Sequence, residues 1–299
     1  MKWKLAIVML SILLAGCSYV SVDEQEEKTE NEQNTSSTNA TNNDVSEKEP
    51  SKLEELLDTI NIFDWGKDKA VEAQDIYYLA LGDSLTHGVG DETDAFGFTG
   101  VLKTKLEQSP NVLSVELDNR GKNGRRTDQL LALLEKGHYD EELEKTNFIT
   151  ITQGGNDVMK VVKNNLLSLD TTQFDEAKPS FVERYTDIVT YIRSKTDAPI
   201  IFVGFYNPFS IVTDEENAFE TIISEWNKEV ETIVAETSNA CFVSVEDIFG
   251  GQTDYYHTDF FHPNTKGYEL MAERVIETIP SCENEQLTNL FDKEDEEDE

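Results

Sequence analysis

The chain has 299 residues, 38% of them hydrophobic, which is enough to bury a sizeable core in one large or two small domains. Its 60 Asp and Glu against 25 Lys and Arg leave a formal net charge of −35. The body of the chain is acidic even without its charged ends, which argues against electrostatic binding of nucleic acid or anionic lipid and favours solubility.

Lys2 and Lys4 precede an apolar run, residues 5–15, that is too short to span a bilayer comfortably and is laid out as an export signal. It closes on Leu14-Ala15-Gly16-Cys17, which resembles the lipobox of bacterial lipoproteins. That resemblance implies a signal over 1–17, acylation of the Cys17 thiol, and an exported protein held by its lipid on the outer face of the bacterial cytoplasmic membrane. Residues 18–50, rich in Glu, Asn, Thr and Ser, have too little apolar surface to offset the entropy of ordering and predict a flexible tether. Ser51-Lys52-Leu53-Glu54 has the form of a capping box and opens a short helix within 51–72.

From there, apolar runs rich in β-branched and aromatic residues recur at 76–81, 112–117, 148–152, 200–205 and 241–245 and read as strands. Segments of helical spacing lie near 100–107, 127–135, 156–169, 181–195, 215–236 and 265–278. This alternation predicts one α/β domain over 73–283, a three-layer α/β/α sandwich around a five-stranded parallel sheet. An acidic tail is expected over 284–299; positions 292–299 alone hold seven acids and one lysine, a block that repels itself. Cys241 lies in a strand-like run and Cys282 just past a helix, so the default reading is two unpaired thiols, although spacing does not decide against a disulfide.

Ligands of open parallel sheets bind beyond the carboxyl ends of the strands. That is where each unusual polar cluster falls. The first, "YLALGDSLTHGVG" at 78–90, ends a buried strand on Asp83 and Ser84, with His87 three residues on. A lone serine in a turn is usually structural, but a nucleophilic serine needs a base, and the base a carboxylate. Of four histidines, His138 lies in a charged loop and His257 among tyrosines, while His87 has only Asp83 or Asp91 as a candidate partner. In "TDFFHPNTKGYELMAE", Asp259 stands three residues before His262 in a loop entering the last helix, where a tight turn folds the carboxylate back on to the ring. Asp259 or Asn264 as a plain helix cap is the competing reading. Donors for an oxyanion are available in "DNRGKNGRRTD", with Gly121 and Gly124, and in "TQGGNDV", with Asn156.

Taken together, these clusters resemble the SGNH, or GDSL, hydrolase family of serine esterases. "GDSLTHG" matches its first block, Asn119 through Thr127 its second, "GGND" its third, and Asp259-Phe260-Phe261-His262 its last, in the expected order over about 73–280. The resemblance implies a flavodoxin-like sheet. It also implies Ser84 as nucleophile, His262 as base and Asp259 as its orienter, with the Ser84 and Gly124 N–H groups and the Asn156 amide as oxyanion hole. Lipoprotein-anchored bacterial lipases and acylhydrolases are the nearest members, and the implied substrate is a small-molecule, lipid or carbohydrate ester.

Asp83, His87, Phe205, Tyr206 and Phe209 are candidates to line the pocket. Thr86 breaks the G-x-S-x-G elbow of ordinary α/β-hydrolases. No Cys/His spacing suits zinc and "DETDAFG" is a poor calcium loop, so neither a metal nor a cofactor is expected. Lys122, Arg125 and Arg126 read as a solvated loop, with recognition of an anionic head group the alternative. Two other functions stay open: a carbohydrate O-acetylesterase acting on cell-wall or extracellular polysaccharide, and a non-catalytic binding lipoprotein. The protein is expected to be monomeric.

Overall fold

The computed structural model describes residues 73–210, 216–251 and 253–291. The export signal, Cys17, the tether, the capping box and the block at 292–299 lie outside these residues.

Five strands form one parallel sheet: β1 (Gln74–Gly82), β2 (Val112–Gly121), β3 (Phe148–Thr152), β4 (Ile200–Val203) and β5 (Ala240–Val243), in the order β2-β1-β3-β4-β5. This is the flavodoxin-like order, and its direction of winding reverses between β1 and β3. The crevice at that switch point lies between Gly82 and Thr152, which are paired in register. β3 and β4 are buried at every position, as expected of strands covered on both faces.

Nine α-helices are found among the described residues. α1 (Ser84–His87) is a single turn; α2 (Gly97–Leu106), α3 (Thr127–Leu134), α4 (Asp140–Lys145), α5 (Gly155–Asn164), α6 (Thr172–Arg193), α7 (Glu216–Ala235), α8 (Thr265–Thr278) and α9 (Glu285–Leu290) follow. One core joins the sheet to α3, α5, α6 and α7 through residues such as Leu130, Val162, Ile188 and Trp226. The other joins it to α2 and α8 through Phe98, Leu102, Met271 and Val275. The predicted three-layer α/β/α sandwich is the observed architecture.

Several boundaries differ from the sequence reading. α6 begins at Thr172, not near 181, and runs through Pro179. A proline breaks helix interiors by losing one N–H and crowding the preceding turn; here the buried Phe174, packed edge-on against Phe219 at 6.2 Å, holds the first turns in place. β4 stops at Val203 because Phe205 leaves the sheet to pair its backbone with the Asn227 amide, at 3.1 and 2.7 Å. α1 and α4 were too short to show a period. The predicted tail starts too early: α9 is capped by the Asn284 side chain, which accepts from the Leu287 N–H at 3.0 Å, and it buries Leu287 and Leu290.

The cysteines also depart from the default reading. Cys241 on β5 and Cys282 after α8 form a disulfide, with Cα atoms 5.5 Å apart. Sequence separation carries no information on that approach, which exists only once α8 has packed back on the sheet.

Candidate active site

At the end of β1 the chain turns sharply into α1. Gly82 sits where any Cβ would come within 2.4 Å of the Thr86 hydroxyl and 2.5 Å of the Thr152 hydroxyl, so the turn admits no side chain there. Asp83 caps α1 by accepting the Leu85 N–H at 3.0 Å, and Gly88, at φ 82°, closes it. The turn is locked to β3 by the Thr152 hydroxyl, 2.9 Å from Asp83 Oδ1 and 2.7 Å from the Thr86 hydroxyl. Ser84 is thus set at the switch point, on the carboxyl edge of the sheet.

Asp83 is buried, and burial pushes its carboxyl up to about 6 against the pull of the Leu85 N–H, the Thr152 hydroxyl and the charge of His262. The histidine loop reaches the same cavity through Phe261, which lines it together with Ser84. On that loop, His262 Nδ1 lies 2.6 Å from Asp259 Oδ2. Burial favours the neutral acid at Asp259, but the hydrogen bond and charge of His262, with the N–H groups of His262 and Phe261, outweigh it and hold the pKa at about 2. An ionised carboxylate only accepts, so Nδ1 carries a proton and it is Nε2 that can give or take one. Ser84 and His262 are not hydrogen-bonded to each other in this structure; such bonds often tighten only with substrate in place.

Asn156, in the first turn of α5, directs its amide at Asp83 Oδ2 (3.3 Å) and the Arg125 carbonyl (3.2 Å). The same carbonyl accepts from Gln153 Nε2 at 2.9 Å, so the loop after β2 is pinned beside Asn156. Gly124 in that loop has φ 74°, and a Cβ there would meet nothing within 4 Å. Its backbone conformation, rather than crowding, calls for glycine.

A narrow cavity of about 40 Å³ opens beside Ser84. Asp83, Ser84, Leu85 and Asn156 line one side, and Val158, Met159, Phe205, Tyr206, Pro208, Phe209, Ile223 and Phe261 make the rest largely apolar. Of the candidate pocket residues, Asp83, Phe205, Tyr206 and Phe209 border the cavity. His87 does not border it: α1 sends Leu85 and Thr86 inward and leaves the fourth side chain exposed, its backbone abutting Gly121. Asp91 is not its partner either; that carboxylate is taken up by Thr93, Ala95, Gly97 and Thr265. The basic cluster is not a solvated patch. Arg125 is buried on the Arg120 carbonyl (2.8 Å) and Arg126 is paired with Asp128 (2.9 Å), leaving Lys122 exposed.

Sequence reasoning missed Thr152, Gln153 and Arg184. Arg184 Nη2 lies 3.1 Å from the buried Asp157 carboxylate, and that carboxylate also takes the Thr127 N–H and hydroxyl, tying α3, α5 and α6 together behind Asn156. A lone Arg in a long helix gave no signal. Among the described residues no group of three or more His, Cys, Asp or Glu is arranged to hold a metal, and no helix is long and apolar enough to cross a membrane.

A serine at the switch point, with an imidazole buttressed by a carboxylate on the loop that carries Phe261 to the same cavity, belongs to the chemistry of serine hydrolases, and this protein is one that cleaves esters. Comparison with known sequences narrows the class: residues 80–270 match the GDSL-like lipase/acylhydrolase family, and the chain belongs to it. It is 34% identical over 221 residues to the Bacillus subtilis (strain 168) protein YpmR, covering 72% of this chain and 86% of the relative. It is 29% identical over 209 residues to the spore germination lipase LipC of Bacillus licheniformis, covering 67% and 94%. Among solved structures, the lipase Lip_vut3 from a goat rumen metagenome superposes with a TM-score of 0.62 at 28% identity, over 71% of this chain and 99% of that one. The acetylxylan esterase Axe2 of Geobacillus stearothermophilus shares the fold, with a TM-score of 0.52 at 18% identity, over 69% and 94%.

Proposed function

We propose that the protein is an acylhydrolase that cleaves esters of aliphatic acids through an acyl-enzyme on Ser84. His262 Nε2 takes the Ser84 proton as the hydroxyl oxygen attacks the ester carbonyl, then returns it to the departing alcohol, and water repeats the cycle on the acyl-enzyme. Asp259 stays ionised and holds the ring in the tautomer that leaves Nε2 free. The Ser84 and Gly124 N–H groups receive the oxyanion with the Asn156 amide, whose two present bonds are long and readily exchanged. The observation that carries this reading is the His262–Asp259 pair at 2.6 Å, next in the chain to Phe261, which lines the same apolar cavity as Ser84. The apolar lining supports a hydrocarbon acyl group over the acetyl group of a modified sugar.

The test is labelling by a fluorophosphonate probe together with hydrolysis of p-nitrophenyl esters. Both are expected in the wild type and absent from Ser84→Ala with its circular dichroism unchanged. Activity retained by that variant refutes the assignment, and a preference for acetylated sugars over aliphatic esters transfers the protein to the carbohydrate esterases. The proposal extends to location, with the lipid on Cys17 placing the enzyme on the outer face of the cytoplasmic membrane; metabolic labelling with a fatty-acid probe is expected to disappear in Cys17→Ser.

A further inference from the structure

The segment that follows the Ser84 turn is joined to the histidine loop by a buried carboxylate that the proposed chemistry does not use. Asp91 collects five donors. Its Oδ1 accepts from the Thr93 N–H (3.1 Å), the Thr93 hydroxyl (2.8 Å) and the Thr265 hydroxyl (2.9 Å). Its Oδ2 accepts from the N–H groups of Ala95 (3.1 Å) and Gly97 (3.0 Å). Four of these bonds shape Asp91's own loop. The fifth crosses to Thr265, the first residue of α8, which follows His262 closely in the chain.

The two segments are in close contact around this bond. A Cβ on Gly90 would lie 2.4 Å from the Pro263 carbonyl oxygen, and the Tyr268 hydroxyl donates to the Val89 carbonyl at 2.7 Å. The Thr265 N–H donates to the Glu92 carboxylate at 2.9 Å, and the Thr265 hydroxyl lies 2.5 Å from the same oxygen, so its single proton is shared between Glu92 and Asp91. Other bonds, such as His257 N–H to the His262 carbonyl at 2.8 Å, give the histidine loop its internal shape but do not place it against β1. On the opposite side, the Tyr206 hydroxyl holds the Phe261 carbonyl at 2.7 Å. A buried carboxylate held by four donors of its own loop and sharing a fifth makes a stiff junction, because displacing it would strand the buried Gly97 N–H and its own oxygens.

We infer that Asp91 is a positioning residue for the reaction: through Thr265 it sets the spacing between the Ser84 turn and the His262 ring. This rests on the reading of Ser84 and His262 as nucleophile and base. A displacement of about 1 Å between such groups can lower the rate on the order of 100-fold.

The experiment compares Thr265→Val, which deletes the crossing hydroxyl at similar volume, with Thr265→Ser, which restores it, alongside Asp91→Asn and Glu92→Gln. Hydrolysis of p-nitrophenyl butyrate and the rate of fluorophosphonate labelling are measured on the full chain, well below the Tm of each variant. Thr265→Val is expected to lower kcat on the order of tenfold or more with KM little changed, and to slow labelling in parallel. Thr265→Ser and Glu92→Gln are expected to stay near wild type, and Asp91→Asn to be at least as slow as Thr265→Val. Should Asp91→Asn fail to fold, the threonine pair still decides. Wild-type kcat and labelling in Thr265→Val overturn the inference, as does a loss seen in Glu92→Gln but not in Asp91→Asn. A wild-type protein that takes up no probe at Ser84 overturns the catalytic reading itself and this inference with it, whereas equal labelling of wild type and Thr265→Val overturns this inference alone.

Discussion

His262 Nδ1 and Asp259 Oδ2 are 2.6 Å apart, and the other oxygen of that carboxylate is held by the N–H groups of Phe261 and His262, each at 3.0 Å. The carboxylate therefore fixes both the ring and the turn that carries it. Asp259→Asn keeps the shape but removes the acceptor that selects the reactive tautomer. Its kcat on p-nitrophenyl esters is expected to fall on the order of 10³–10⁴-fold with KM little changed. With its pKa held at about 2, Asp259 adds stability that is fully present above the ordinary carboxylate range and is lost as pH falls toward 2. The acid limb of a pH–rate profile recorded above pH 4 is thus expected to be set by groups other than Asp259.

The donors proposed for the oxyanion, Asn156 and Gly124, are supplied by different means and should fail differently. Asn156→Ala removes a side-chain donor, so kcat is expected to drop on the order of 10²–10³-fold at nearly constant KM. Gly124→Ala meets no atom within 4 Å but must hold φ 74°, a strain of about 1 kcal/mol or more. Relaxing it turns the N–H away, so esterase activity is expected to fall while Tm changes by little. Steady-state kinetics with a melting curve for each variant separates the two.

The sequence disclosed those parts of the site that lie in short contiguous blocks. Ser84 closely follows a strand whose apolar run is unbroken, and Asp259 and His262 share one turn, so their types and spacing are visible without the fold. The three-layer architecture was legible because parallel strands buried on both faces are continuously apolar and the helices between them are amphipathic. Partnerships made by packing left no trace. Thr152 locks the Ser84 turn from a neighbouring strand, and Arg184 reaches Asp157 from a separate helix. The Cys241–Cys282 bond and the helix carrying Leu287 and Leu290 depend likewise on the last elements folding back over the sheet. The basic cluster misled because the Arg125 head group is buried, donating to the Arg120 carbonyl and the Tyr139 hydroxyl.

Burial raises the pKa of Asp83 to about 6, well above an unfolded carboxyl. The folded state then binds the proton more tightly than the unfolded one, so this group costs nothing at low pH and lowers stability as pH rises from about 4 to 6. The full penalty above pH 6 is on the order of 3 kcal/mol. Asp83→Asn is therefore expected to gain in Tm relative to wild type between pH 4 and pH 7, with the gain levelling off above that. A Tm difference independent of pH would show that Asp83 is ionised throughout.

The Cys241–Cys282 disulfide closes a loop of 41 residues between β5 and the turn after α8. Restricting the unfolded chain in this way is worth on the order of 3–4 kcal/mol. Cys241→Ser with Cys282→Ser, or reduction with dithiothreitol, is expected to lower Tm and the denaturant midpoint accordingly. The hydrolytic site lies at the other end of the strands from α9, so kcat at low temperature is expected to be retained.

The cavity beside Ser84 should set the length of the acyl chain through the side chains that narrow it. Met159 from α5 and Ile223 from α7 line it together with Phe205 and Phe209. Truncating Ile223 to alanine removes three carbons from the wall and is expected to move the kcat/KM optimum of a p-nitrophenyl ester series toward longer chains. Met159→Phe replaces a flexible side chain with a rigid ring and is expected to move it toward acetate. Because neither residue is proposed to touch the oxyanion or the base, kcat on the acetate ester should remain within a few-fold of wild type in both variants. An unchanged chain-length profile in both would place the acyl group elsewhere on the rim.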